Sequence, residues 1–392
     1  MLKTHRTDNQ TGAVSLFIVI FATLLITIIT VSFARIMVQD QQQASTIDLS
    51  QSAYDSAQAG VEDAKRALLR YQDICDNSDA AACIEAANQI NSLVCNEALG
   101  SLRDINPDGS EIKIQTGIDS NALDQAYTCV KIVLDTDDYL GTLSANESKL
   151  VPLKVGDGES FDRIQIQWYN SADLGSTNDF DINLQPASSS SWPLLSQNDW
   201  PSNRPPVMRT QFMQFGSNGF NVVSFDNNTA DESNVNTLFL YPSGSTGTAS
   251  STIDSRGLTQ RDVRKTPTGA PLPITCSGNI SSGGYACTVE ISLPSPIGGG
   301  ERTAFLRLSA LYSGTHYRVT LLDGSTLTKF NAVQPEVDST GRANDLFRRV
   351  QSRIELIDTS FSYPEATVDI TGSLCKDFLV TDTHYQAGNC TP

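Results

Sequence analysis

Between Ala13 and Ala34 the chain reads AVSLFIVIFATLLITIITVSFA, with no charge, no Pro and no Gly. As a helix at 1.5 Å per residue this run would reach roughly 33 Å, the thickness of a bilayer's hydrocarbon core. The pattern changes at Arg35. Residues 39–71 are polar, rich in helix formers and free of Pro. Ile47, Tyr54, Ala57, Val61, Ala64, Leu68 and Tyr71 recur there at three-four spacing, which gathers them on one helical face. A stripe this rich in small residues lets a helix lie close against a sheet. A short coiled coil of about three heptads fits the same spacing. The pattern predicts one rod, spanning a membrane over 13–38 and continuing over 39–74 to pack on a water-exposed head.

Beyond the rod the period shifts. Ala80–Val94 favours helix and is flanked by Cys75 and Cys95, so 75–125 reads as a disulfide-linked helical segment. Asn106-Pro-Asp-Gly109 signals a turn. Two-residue alternation begins at Tyr127–Asp135 and returns at Arg163–Tyr169. Further strands are expected at Val207–Phe215, Phe220–Phe225, Thr237–Tyr241, Tyr285–Leu293, Ala304–Tyr312, Tyr317–Leu322 and Arg353–Asp358. Stretches near 171–205 and 242–270, rich in Ser, Asn, Thr, Gly and Pro, read as exposed loops. Helices first and strands afterwards make the class α+β: a long membrane-spanning helix feeding an antiparallel, β-rich head over 126–392.

Composition narrows the function. The net charge is −17, which argues against nucleic acid as a partner, because phosphate binding needs surplus Lys and Arg. Hydrophobic content is 39%, and no second uncharged run of spanning length follows the first, so a polytopic transporter is excluded. The eight cysteines, Cys75, Cys83, Cys95, Cys129, Cys276, Cys287, Cys375 and Cys390, form an even set beyond a membrane-targeting segment. Disulfides in an oxidising compartment follow. Local spacing favours Cys276–Cys287 and Cys375–Cys390, with the four N-terminal cysteines pairing among themselves; buried free thiols are the alternative. Closing the C-terminal loop would stabilise by about 3 kcal/mol in the chain-entropy picture.

Three readings fit the N-terminus. Ser32-Phe33-Ala34 offers a signal-peptide cleavage site, but the apolar run exceeds twenty residues where signal peptides carry about 7–15. A plain single-span anchor is the second, with Lys3 and Arg6 inside and the acidic bulk outside. The third rests on a resemblance. A basic leader (Lys3, His5, Arg6), Gly12, the apolar helix and the stretch Ala57-Gln-Ala-Gly-Val-Glu-Asp-Ala64 resemble PilX-type minor pilins. The large K-type tip pseudopilin of type II secretion is similar in the same region, about residues 1–72. Gly341-Arg-Ala-Asn-Asp-Leu-Phe-Arg-Arg349 resembles the "G-R-A…R-R" lead-in to a late strand in PilX-type chains. The resemblance implies a leader over 1–12 that is cleaved between Gly12 and Ala13.

Two positions depart from that pattern. Thr11 precedes Gly12 where most prepilins carry a basic residue, and Phe17 stands where major pilins carry Glu. In the family that Glu neutralises the amino terminus of a neighbouring subunit within the membrane, where an unpaired charge is expensive. A subunit placed first has no such neighbour, so Phe17 points to an initiating or tip position. It is equally compatible with a protein that joins no filament.

Chemistry-bearing patterns are sparse. Three histidines, His5, His316 and His384, and no paired Cys-x-x-Cys leave little for a zinc site, and no nucleophile elbow, P-loop or dinucleotide fingerprint occurs. No cofactor and no enzymatic activity are expected. Asp135, Asp137 and Asp138 are the metal candidates, since close-spaced carboxylates suit Ca²⁺; an acidic turn ending a strand is the simpler reading. Trp168, Tyr169, Trp192 and Trp200 are candidates for an aromatic platform or for core packing, and His316 for a strand residue rather than a base. Asn146, Asn227, Asn279 and Asn389 open glycosylation sequons.

The expected function is a minor pilin or pseudopilin of a type IV pilus-like filament. Its partners would be other pilin-like subunits, the lipid bilayer, a prepilin peptidase and an assembly platform. It would lie in the cell envelope with its bulk extracytoplasmic. The rival is a single-span surface adhesin or ligand-binding protein outside any filament, and an envelope hydrolase is the third possibility.

Overall fold

A computed structural model describes residues 11–103, 111–114, 124–175, 181–185, 195–214, 234–244, 252–254, 271–280, 284–299 and 304–356. Three helices come first: α1 (Thr11–Asn77), α2 (Ala80–Ile90) and α3 (Glu97–Arg103). Strands β1 (Ile112–Lys113), β2 (Gln125–Thr136), β3 (Tyr139–Leu143), β4 (Ser148–Leu153) and β5 (Ser160–Asn170) follow. After two short 3-10 turns come β6 (Val207–Gln214), β7 (Asn234–Ser243), β8 (Thr252–Asp254), β9 (Leu272–Thr275) and β10 (Tyr285–Gly298). The last are β11 (Ala304–Leu311), β12 (Thr315–Asp323), β13 (Thr326–Thr328), β14 (Phe330–Ala343) and β15 (Leu346–Arg353).

The chain forms two compact units. The first comprises residues 1–132 and 337–352, and the second 133–336 and 353–392. Residues 133–336 of the second are thus inserted in the chain between two parts of the first, reached through β2 and β14, and its remainder follows residue 352.

In the first unit α1 runs 67 residues without a break. Nothing in 13–59 interrupts it, since Gly and Pro are absent there. It stops at Ser78, and Asp79 starts α2 by accepting the N–H of Ala82 at 2.9 Å. The bond Cys75–Cys83 ties the end of α1 to α2, and Cys95–Cys129 ties the approach to α3 to β2. Four strands make the sheet, in the order β1-β2-β14-β15. Over Pro335–Ala343 β14 alternates strictly, with Val337, Ser339, Gly341 and Ala343 buried and Asp338, Thr340 and Arg342 outward. Sequence patterning leaves this strand unpredicted, because its buried positions hold Ser, Gly and Ala instead of large apolar residues.

The second unit has two sheets. One has the order β13-β12-β5-β10-β8, with β3 also paired to β12; the other has β4-β11-β6-β7-β9. Their inward faces share one core, with Ile164, Ile166, Val289 and Val319 from the first and Phe212, Leu238, Leu306 and Leu308 from the second. Most pairings here are antiparallel, as expected, but two edge strands are parallel to their neighbours: β8 to β10 and β9 to β7. Cys276, just past β9, bonds Cys287 on β10 and so joins the two sheets. The stretch expected as an exposed loop near 242–270 contains β8, and 171–205 contains the two 3-10 turns. The strand expected at Arg353–Asp358 begins earlier, as β15, and ends at Arg353. Phe220–Phe225, Asn106–Gly109, Cys375, Cys390, His5, His384, Trp192, Asn227 and Asn389 lie outside the described residues, as does the leader through residue 10.

Candidate functional site

The first candidate is the exposed half of α1. Large side chains from Leu16 to Val38, Phe17 among them at 68% exposure, project into solvent along its whole circumference. A helix apolar all round is at rest only in an apolar medium. The polar atoms within the run are already satisfied. Thr23 donates to the Ile20 carbonyl at 2.9 Å, Thr27 to Leu24 at 2.8 Å, Thr30 to Ile26 at 2.8 Å and Ser32 to Ile28 at 2.8 Å. Hydrocarbon requires this internal pairing. The mean hydropathy of the best window is 2.8, so α1 is long and apolar enough to span a membrane. Gly12 and Ala13, the expected cleavage pair, both lie within the helix.

The second candidate is the seat of the other half of α1. Ala53, Ser56, Ala57, Val61, Ala64, Ala67, Leu68 and Tyr71 are buried. Ile47 and Tyr54, placed on this stripe by spacing alone, are 59% and 42% exposed, and the buried stripe opens instead with Ser52 and Ala53. Gly341 of β14 is the closest approach. A Cβ there would stand 2.7 Å from the carbonyl carbon of Ser56, and nearer still to the Ala57 amide nitrogen and the Ala53 carbonyl oxygen. Gly60 of α1 faces the same sheet, where a Cβ would stand 2.8 Å from Val130 Cγ2 and nearer still to Ser339 Oγ. Tyr127 on β2 adds a hydrogen bond, donating to Asp63 Oδ2 at 2.8 Å. The stretches around Gly60 and Gly341, which carry the family resemblance, are thus two sides of one contact.

Both flanks of this seat are pinned by polar groups that sequence reading missed. Arg342 donates to Glu111 Oε1 at 2.8 Å and to Asp124 Oδ2 at 3.0 Å, and these acceptors hold its guanidinium above the usual arginine range. Arg348 donates to Ser50 Oγ at 2.8 Å, linking β15 to α1. Alternating charge on the outward positions of β14 and β15 was the available signal.

The metal candidates are not brought together. Asp135 Oδ1 accepts from Asn331 Nδ2 at 2.9 Å, Asp137 lies 3.9 Å from Lys329 Nζ, and Asp138 pairs with Arg353 at 3.2 Å. Burial raises the Asp135 carboxyl pKa against the lowering effect of Asn331. Among the described residues no three His, Cys, Asp or Glu side chains are grouped as a metal site needs. His316 is the second residue of β12, and its Nδ1 lies 2.6 Å from Asp173 Oδ1. The same carboxylate accepts the backbone N–H groups of Asn170 at 2.9 Å and His316 at 3.1 Å, so the pair clamps a turn to a strand. Trp168 and Tyr169 are core residues, with Trp168 Nε1–H donating to the Pro206 carbonyl at 3.2 Å. Trp200 is buried too, stacked on Tyr312 at 4.2 Å, with the Arg204 guanidinium over its ring at 5.2 Å from the centroid. The platform candidates among the described residues, Trp168, Tyr169 and Trp200, therefore pack inward. A shallow depression lined by Ile182, Leu184, Gly244 and Thr275–Gly278 borders the Cys276–Cys287 bond, and it holds no charged side chain.

The chain matches no family model, no curated protein and no solved structure.

Proposed function

We propose that the chain is a minor pilin- or pseudopilin-like subunit of a type IV pilus-like filament, in an initiating, tip or decorating position. One observation carries the reading: a single helix passes without interruption from an apolar, fully exposed half to a half seated by small residues on its own sheet. A rod of this build joins its apolar half rigidly to the sheet of the first unit. Its exposed half packs sideways among similar rods through close side-chain fit, since lipid offers no hydrophobic gain to drive association. Assembly is the activity. A prepilin peptidase frees Ala13, an assembly platform receives the rod, and the head faces outward. Phe17, which leaves no acid for a neighbour's amino terminus, suits a subunit that begins or caps an array.

Sequencing the amino terminus of the mature protein tests this. An end at Ala13 is expected; an end at Met1 or Arg35 overturns it. Phe17 also favours a second reading, a single-span anchored adhesin that joins no filament. Imaging the labelled protein separates the two, because uniform scattering over the envelope, unaltered by loss of the assembly machinery, supports the anchor.

A further inference from the structure

The most exposed large apolar side chain among the described residues is not in the membrane-spanning half of α1. It is Leu93, at 82%, and its neighbour Val94 is at 64%. Exposure of this size in a loose loop would carry little meaning, but this turn is fastened. Cys95 bonds Cys129. Asn96, in the left-handed region at φ 65°, makes three hydrogen bonds to β2: its N–H donates to the Val130 carbonyl at 2.9 Å, its Oδ1 accepts the Val130 N–H at 2.9 Å, and its Nδ2 donates to the Thr128 carbonyl at 3.2 Å. Ser92 Oγ accepts the Val94 N–H at 3.2 Å on the other side. A covalent bond and four hydrogen bonds hold two aliphatic side chains out into water. Ile84 of α2 and Leu69 of α1 are exposed on the same helical cap.

The charge of the helical segment that carries the knob says what can cover it. Residues 69–103 carry Asp73, Asp76, Asp79, Glu85 and Glu97 against Arg70 and Arg103, and Arg70 is paired with Asp73 at 2.5 Å. Glu97 accepts the hydroxyl of Ser92, so a carboxylate stands beside the knob itself. An acidic rim repels anionic lipid headgroups, nucleic acid and the same face of a second copy. Distance excludes the bilayer independently, because Leu69 lies 34 residues, roughly 50 Å, beyond Arg35 along an unbroken helix.

We infer that the Leu93–Val94 turn is a preformed docking knob for a second protein, whose complementary surface is an apolar groove rimmed by Lys or Arg. Preorganisation by the disulfide and Asn96 removes the ordering cost that a mobile loop would bear on binding. The acidic rim steers the basic partner and sets orientation, and the two aliphatic side chains supply the buried anchor. This inference does not depend on the filament reading; a knob of this kind serves an anchored protein equally.

The test uses the full-length chain in its native envelope, with a photo-reactive benzophenone residue in place of Leu93 or of Val94. Thr142, exposed on β3 of the second unit, is the control position. Irradiation is expected to give one discrete protein adduct at 93 and 94 and none at 142. Peptide mapping should place the bond in an apolar segment flanked by Lys or Arg. Adduct yield should fall severalfold in high salt and with Glu85→Lys, while non-reducing mapping still finds Cys95–Cys129 intact. Absence of an adduct at both positions, an adduct with lipid or with a second copy of this chain, or a yield indifferent to salt and to Glu85→Lys would each overturn the inference. A cross-link from Phe21 to another rod tests the filament reading separately, so either can fail alone.

Discussion

Gly341→Ala tests the physical basis of the rod most directly. A methyl group at 341 meets helix backbone: the Ser56 carbonyl carbon at 2.7 Å, with Ala57 nitrogen and Ala53 oxygen closer. Comfortable carbon contacts begin at about 3.5 Å, so β14 and α1 must separate by on the order of 1 Å. Backbone cannot rotate aside as a side chain can. Overpacking of this kind costs about 1–3 kcal/mol, and losing an unfolded-state glycine returns about 0.4–1 kcal/mol. The net expectation is a loss of about 1–2 kcal/mol. Gly60→Ala is the comparison. There the obstacles are the side chains of Ser339, Val130 and Tyr127, which can shift, and the helix gains about 1 kcal/mol of propensity. That variant should therefore be clearly milder. The first unit has no tryptophan among its residues, so peptide-resolved hydrogen exchange on the detergent-solubilised chain is the assay. Faster exchange is expected in 337–343 and 53–71 for Gly341→Ala, with β5 and β10 unchanged. Equal protection in both variants and the parent would refute the close-contact reasoning.

Other outcomes follow from the same geometry. Replacing Cys276 and Cys287 together by Ala removes the only disulfide between the two sheets among the described residues, and should cost about 2–3 kcal/mol, read by Trp168 and Trp200 fluorescence in urea. The buried phenols predict alkaline sensitivity. Burial pushes Tyr169 up to about 12, and raises Tyr139 and Tyr317 further. Above the ordinary tyrosine value near 10 the unfolded chain releases these protons while the folded chain retains them, so stability is full below pH 10 and falls as pH rises through 12. Urea midpoints measured across that range should drop, and a flat profile would contradict the burial. Calcium should leave the melting temperature unchanged, because Asp135, Asp137 and Asp138 are engaged by Asn331, Lys329 and Arg353 separately; a saturable rise would refute that assignment.

How much of this was legible depended on what each residue packs against. The longer strands of the second unit, β5, β6, β7, β10, β11 and β12, are visible in sequence because they bury large residues at alternate positions, as in Ile164, Ile166 and Trp168 of β5. The short β3, β4, β8, β9 and β13 carry too few residues to show a period and were not expected. The local pair Cys276–Cys287 was readable from spacing, whereas the partners of Cys75 and Cys95 required the helical cap to be folded first. The stripe on α1 was legible from Ala57 to Tyr71 but was misplaced at Ile47 and Tyr54, where hydrophobicity suggested burial and the side chains are exposed. β14 was invisible for the opposite reason. Its buried Ser339 and Gly341 look polar or featureless in a hydrophobicity pattern, yet small size is what the contact with α1 demands. The knob at Leu93 was hidden too, since exposure of an aliphatic residue leaves no trace in periodicity.

Division of the chain gives these observations a common logic. Every residue that carries the pilin-like resemblance, from the leader through Ala64 and from Gly341 through Arg349, falls in the first unit. The second unit is inserted between them and has its own two-sheet core. A rod seated by glycine against a strand tolerates little change, because a methyl group on either side meets atoms already in place. A unit with its own core tolerates substitution wherever that core is kept. On the filament reading proposed above, assembly and whatever the second unit contacts would therefore place their demands on different residues. On this argument, substitutions on the outward face of β5 and β10 should leave hydrogen exchange in 53–71 and 337–343 unchanged, and substitutions at Gly60 or Gly341 should leave that of β5 and β10 unchanged.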